Sequence, residues 1–168
     1  MNRRIATLSG VFCAALLLTA CSSSDSGVTV SRTSSSGSTW DKKAGAPEAA
    51  SFMRLRVPPG ATAVKGAVRV NPQEDTYLLS FVTAQATAEQ LATELHFDHP
   101  LSTTEKSGLG GSLFKHLGLT DPEKLNGVRW SGVCPPCVVK HGRGRVQWIE
   151  MFVHAEGKGR ARVYLQAF

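Results

Sequence analysis

The sequence predicts an α+β domain in which an antiparallel sheet of four or five strands carries one main helix on one face. Three observations predict it. Ala161, Val163, Leu165 and Ala167 alternate with Arg160, Arg162, Tyr164 and Gln166, the period of two expected of a half-buried strand. Ala88, Leu91, Ala92 and Leu95 recur at helical spacing and form a narrow apolar stripe. No strand–helix–strand rhythm with a glycine-rich turn is visible, which argues against a parallel nucleotide-binding sheet.

The elements follow in chain order. Met53, Leu55 and Val57 alternate with Arg54 and Arg56 before Pro58-Pro59-Gly60 stops the run, which reads as a short edge strand or an extended segment. Val64–Val70 and Thr76–Thr83 are expected to form a hairpin through the Asn71–Asp75 turn, with Tyr77, Leu79 and Phe81 on one face. Thr87, with Gln90 three residues on, reads as the capped start of the main helix. Pro100 bars helix beyond it. Residues 98–112 read as a loop, Ser112–Leu117 as a short helix stopped by Gly118, and Asp121-Pro122 as the start of a single turn. Val128–Val133 and Val138–His141 are weak strands. Arg145–Ala155 and Arg160–Phe168 are strong ones, joined through Glu156-Gly157-Lys158-Gly159.

The N-terminus is organised differently. Arg3 and Arg4 precede an apolar stretch from Ile5 to Leu18, the layout of a secretory signal peptide and too short to span a bilayer comfortably. The stretch ends in Leu18-Thr19-Ala20-Cys21. Small residues before a cysteine at this point resemble the lipobox of bacterial lipoproteins. The resemblance implies a diacylglyceryl group on the Cys21 thiol and cleavage just before it, hence a membrane anchor on the extracytoplasmic face. Arg3-Arg4 also raises twin-arginine export, although Ile5-Ala6-Thr7-Leu8 fits that signal poorly.

Residues 22–51 contain ten serines and show no apolar periodicity. Such a stretch cannot bury enough surface to offset its ordering entropy. The expected organisation is therefore a signal peptide over residues 1–20, a lipidated, Ser-rich disordered tether over 21–51, and a single α+β domain over 52–168. Trp40 reads first as a chance aromatic within the tether, with docking on the domain as the alternative. The signal, tether and small valine-rich domain together resemble the small actinobacterial lipoproteins of unknown function, which implies an envelope location and no established activity.

Cys134-Pro135-Pro136-Cys137 is the sharpest chemical feature. In an exported chain the pair reads first as a structural disulfide closing a tight turn. A redox centre is the rival, but the continuation Val138-Val139-Lys140-His141-Gly142 is a poor helix start and so differs from thioredoxin-like sites. A metal site is the third reading, with Cys134, Cys137 and His141 as ligands and a fourth drawn from His96, His99, His116 or His154. His96 and His99 are also a candidate patch by themselves, with a polar helix terminus as the plainer reading. No nucleophile elbow, HExxH or phosphate-cradling loop occurs, no cofactor is expected, and acid/base or nucleophilic catalysis has no support in the sequence.

The chain carries 19 Lys and Arg against 13 Asp and Glu, a net charge of +6. From Lys124 onward eight cations (124, 129, 140, 143, 145, 158, 160 and 162) face Glu150 and Glu156 alone, interleaved with Trp130, Trp148 and Tyr164. For an extracytoplasmic chain no nucleic-acid partner is expected; the run reads first as a solvated strand face, with an anionic envelope component or an envelope protein met at the basic C-terminal hairpin as the alternative. The function expected is a lipid-anchored extracytoplasmic binding or accessory domain. The alternatives are a thiol-disulfide protein using Cys134 and Cys137, or a metal-binding lipoprotein.

Overall fold

Six antiparallel strands form one sheet in the computed structural model, which describes residues 37–97, 99–103, 111–133 and 145–168. In chain order the elements are β1 (Thr39–Trp40), α1 (Ala46–Phe52), β2 (Thr62–Val70), β3 (Thr76–Ala84), α2 (Gln85–Glu94), β4 (Arg129–Val133), β5 (Ile149–Gly157) and β6 (Arg160–Ala167). Across the sheet the order is β1-β2-β3-β6-β5-β4. The expected α+β class and antiparallel sheet are therefore present, with six strands in place of four or five and two helices in place of one.

The alternation that marked the C-terminal strands places their odd-numbered residues under the helices. Leu79 and Phe81 of β3, Met151 and Val153 of β5, and Val163 and Leu165 of β6 pack with Ala49 and Met53 of the α1 end and Ala88, Leu91 and Leu95 along α2. The helical stripe thus lies where expected, but α2 starts at Gln85 rather than Thr87 and has no side-chain cap. Lys158 and Gly159, both at positive φ, form the two-residue turn between β5 and β6.

The opposite face is not open to water, as half-buried strands would require. Two 3₁₀ turns, Leu113–Leu117 and Pro122–Lys124, lie over it. Phe114 meets Tyr164 edge-on at 5.1 Å, and Leu78 and Phe152 join the cluster. Buried Asp121 accepts a hydrogen bond from the Phe114 backbone N–H at 3.1 Å, which fastens one turn to the other. Glu150 is fully buried in β5 and accepts from Trp130 Nε1 at 2.9 Å.

Two expectations fail at the N-terminal side. Met53–Val57 is not a strand, because Met53 ends α1 and the residues after it turn away. The folded unit also begins well before Phe52. Thr39 and Trp40 pair with Val70 and Arg69 of β2. Helix α1 starts with proline in its first turn, and Glu48 reaches back to accept from the Gly45 N–H at 2.7 Å. Trp40 is no chance aromatic: its ring stacks on His116 at 3.9 Å with the planes 1° apart. The remainder of the expected tether, residues 21–36, and the signal peptide lie outside the described residues, as does the Val138–His141 strand.

Candidate functional site

Both helices end in the same uncommon way, and each end opens onto a cleft. At the close of α1, Arg54 N–H donates to Ser51 O at 3.1 Å and Leu55 N–H to Ala50 O at 2.9 Å. That pair of bonds is a Schellman closure, and it requires a left-handed residue after the cap, a position where glycine predominates. Here it is Arg54, at φ 50°. At the close of α2 the corresponding residue is His96, at φ 54°, whose N–H donates to Thr93 O at 3.1 Å. A non-glycine residue held there carries a conformational cost of about 1–2 kcal/mol, which Ala63 and Lys158 also carry away from either cleft.

The α1 cleft encloses about 690 Å³. Its wall is the stacked pair Phe52 and Tyr77, ring centroids 3.7 Å apart and planes 5° from parallel. Arg54, Arg145 and Glu48 complete the charged lining. The Glu48 carboxylate is engaged at the Gly45 N–H as a helix cap. Among the described residues neither guanidinium has an ion-pair or hydrogen-bond partner. Burial, and next the Asp75 carboxylate, push the Tyr77 hydroxyl above the ordinary phenol range, while nearby Arg145 pulls the other way.

The α2 cleft, about 490 Å³, is lined by Glu89, Thr93, His96, Phe97, His99 and Arg129, among others. Arg129 Nη2 donates to Glu89 Oε1. That hydrogen bond holds the Glu89 carboxyl below the usual carboxylate range. Set against known protein families, curated proteins and solved structures, the chain matches none of them.

The residues singled out in the sequence are distributed as follows. Cys21, Cys134, Cys137 and His141 lie outside the described residues. The cysteine pair follows directly on β4 and falls within the connection to its antiparallel neighbour β5. Among the histidines, His96 and His99 line the α2 cleft beyond the helix end, His116 stacks on Trp40, and His154 lies on β5 opposite Arg162. Among the described residues no group of three or more His, Cys, Asp or Glu side chains is placed to hold a metal ion.

The basic C-terminal region is largely engaged within the fold. Arg160 donates to Thr62 Oγ1 at 2.7 Å and more weakly to Val82 O, and Arg162 Nε donates to Glu156 Oε1 at 2.7 Å. Lys124 lies 3.8 Å from buried Asp121, and Arg129 holds Glu89. Lys140 and Arg143 lie outside the described residues. Arg145 and Lys158 remain, and Arg145 opens onto the α1 cleft. The sequence reading missed this grouping. Its only local trace is the Arg54-Leu55-Arg56 run, which resembles an alternating strand.

Proposed function

We propose that this chain is a lipid-anchored extracytoplasmic binding or accessory domain, held at the cell membrane by lipid on Cys21. The observation that carries the reading is the Leu18-Thr19-Ala20-Cys21 box behind a charged and then apolar segment. The folded unit adds two solvent-open clefts whose linings combine charged and aromatic side chains, which offer surface for a polar partner. Replacing Cys21 with Ser tests the anchor: the protein should leave the membrane fraction and the detergent phase. Unchanged partitioning of the variant would overturn the reading.

A second reading is favoured by Cys134-Pro135-Pro136-Cys137. In the main proposal this pair is a structural disulfide in the β4–β5 connection. In the rival it is a thiol-disulfide centre. Turnover in a disulfide-reduction assay, abolished by Cys134→Ser, would select the rival.

A further inference from the structure

We infer that the α1 cleft binds a phosphodiester monoanion, held between the guanidinium groups of Arg54 and Arg145 with the Tyr77 hydroxyl as a third donor. The inference rests on the binding-domain reading and names a ligand class for it.

Three observations carry it. Two arginines without partners among the described residues line one cavity, large enough at about 690 Å³ for a small ligand. The one carboxylate in the lining, Glu48, accepts from the Gly45 N–H and pairs with neither guanidinium. Arg54 occupies the left-handed position that closes α1, which places it in the lining of this cleft.

The lining also selects among oxyanions. A flat carboxylate is satisfied by a single guanidinium fork. Two guanidinium groups and a phenol lining one cleft suit a tetrahedral group, whose oxygens diverge in several directions. Glu48 in the lining and Asp75 beside Tyr77 offset part of the charge of Arg54 and Arg145, which suits a monoanionic phosphodiester better than a dianionic phosphate monoester. Tyr77 keeps its proton because burial and Asp75 raise its pKa, so it remains able to donate. The Phe52–Tyr77 stack supplies an apolar wall for the carbon skeleton beside the phosphate.

Two sources present this chemistry to a membrane-anchored domain: the headgroup of an anionic glycerophospholipid, and a soluble glycerophosphodiester. The test uses the exported chain carrying Cys21→Ser, so that the lipid anchor contributes nothing. One arm titrates it with glycerophosphoglycerol by calorimetry. The other measures co-sedimentation with phosphatidylglycerol vesicles and with phosphatidylcholine vesicles, at low salt.

Binding in either arm, weakened at least about tenfold by Arg145→Gln and by Arg54→Gly, supports the inference. The arm that binds identifies the source. Arg54→Gly is the discriminating variant. A purely structural Arg54 predicts a lower thermal midpoint on substitution, whereas a binding Arg54 predicts a midpoint unchanged or raised, because glycine relieves the left-handed backbone, together with lost binding. No binding in either arm, or binding that both substitutions leave intact, overturns the inference. Release of Cys21→Ser from membranes at physiological salt is scored separately, so the anchoring reading can stand when the phosphodiester site does not.

Discussion

The backbone of Ala46 lies against Gly66 so closely that a Cβ at Gly66 would sit 2.4 Å from Ala46 Cα and 2.6 Å from its N. Helix α1 therefore rests on β2 at a point that only glycine can occupy, and neither contact can be relieved by a side-chain rotation. Gly66→Ala should lift the start of α1 and cost about 2–3 kcal/mol, within the range of overpacked cores. Chemical denaturation checks this. A loss under about 0.5 kcal/mol would mean that the helix start can shift without penalty.

The segment before Phe52 belongs to the fold, so a chain beginning at Ala50 should be markedly less stable. It loses β1, the Trp40–His116 stack, the first turn of α1 and buried Ala49. We expect a loss of about 3 kcal/mol or more. Trp40→Ala alone should cost about 1–2 kcal/mol, since its side chain is only partly buried. A thermal midpoint that is the same for the two chain lengths would return residues 37–49 to the role of a spacer.

Arg129 lowers the Glu89 pKa, which sets the sign of a pH effect. The pair stabilises the folded chain above the carboxylate's unfolded pKa, and this contribution fades as pH falls through the lower folded value. Glu89 keeps 43% of its side chain exposed, so the contribution is screened and should stay under about 1 kcal/mol. Arg129→Gln should therefore be destabilising near neutral pH and indistinguishable from the parent chain below the carboxylate range. A penalty that persists undiminished in acid would assign Arg129 a packing role.

For the cysteines, the proposal is a disulfide across a short, proline-stiffened turn. Such a loop gains less than the roughly 3 kcal/mol expected for a fifteen-residue one, because Pro135 and Pro136 already restrict the reduced chain. Replacing Cys134 and Cys137 with serine should cost about 1–2 kcal/mol and leave the fold intact. Thiol counting under denaturing conditions, before and after reduction, checks that the bond exists.

The parts of this fold that could be read in advance are those with a period. Tyr77, Leu79 and Phe81 announced β3, the alternation from Ala161 to Ala167 announced β6, and the Ala88–Leu95 stripe announced α2. Helix α1 was hidden because seven residues, four of them Ala or Ser, carry almost no apolar pattern. A two-residue strand such as β1 has no period to detect. Met53–Val57 alternates convincingly, yet Glu48 and Pro47 start a helix upstream that closes through Met53. The α1 cleft was illegible for another reason. Phe52 and Arg54, Tyr77, and Arg145 come from three separate stretches, and only the sheet order brings them together. The basic C-terminal region misled in the opposite direction, since its charges form a visible run, but most of those among the described residues find partners in Thr62, Asp121, Glu89 and Glu156.

The place of β6 has a kinetic consequence. This strand is made after all the others, yet it lies in the middle of the sheet, bonded to β3 on one side and β5 on the other. Until Arg160–Ala167 is available, the β2–β3 hairpin has one long apolar edge with nothing to pair, and the α1 and α2 helices have only half a floor. Loop closure between such distant segments is slow compared with local hairpin formation. A chain emerging N-terminus first thus stays extendable until its last strand arrives and then closes at once from the centre outward. The exposed β3 edge is the hazard of that interval, the natural point for a second chain to add a strand.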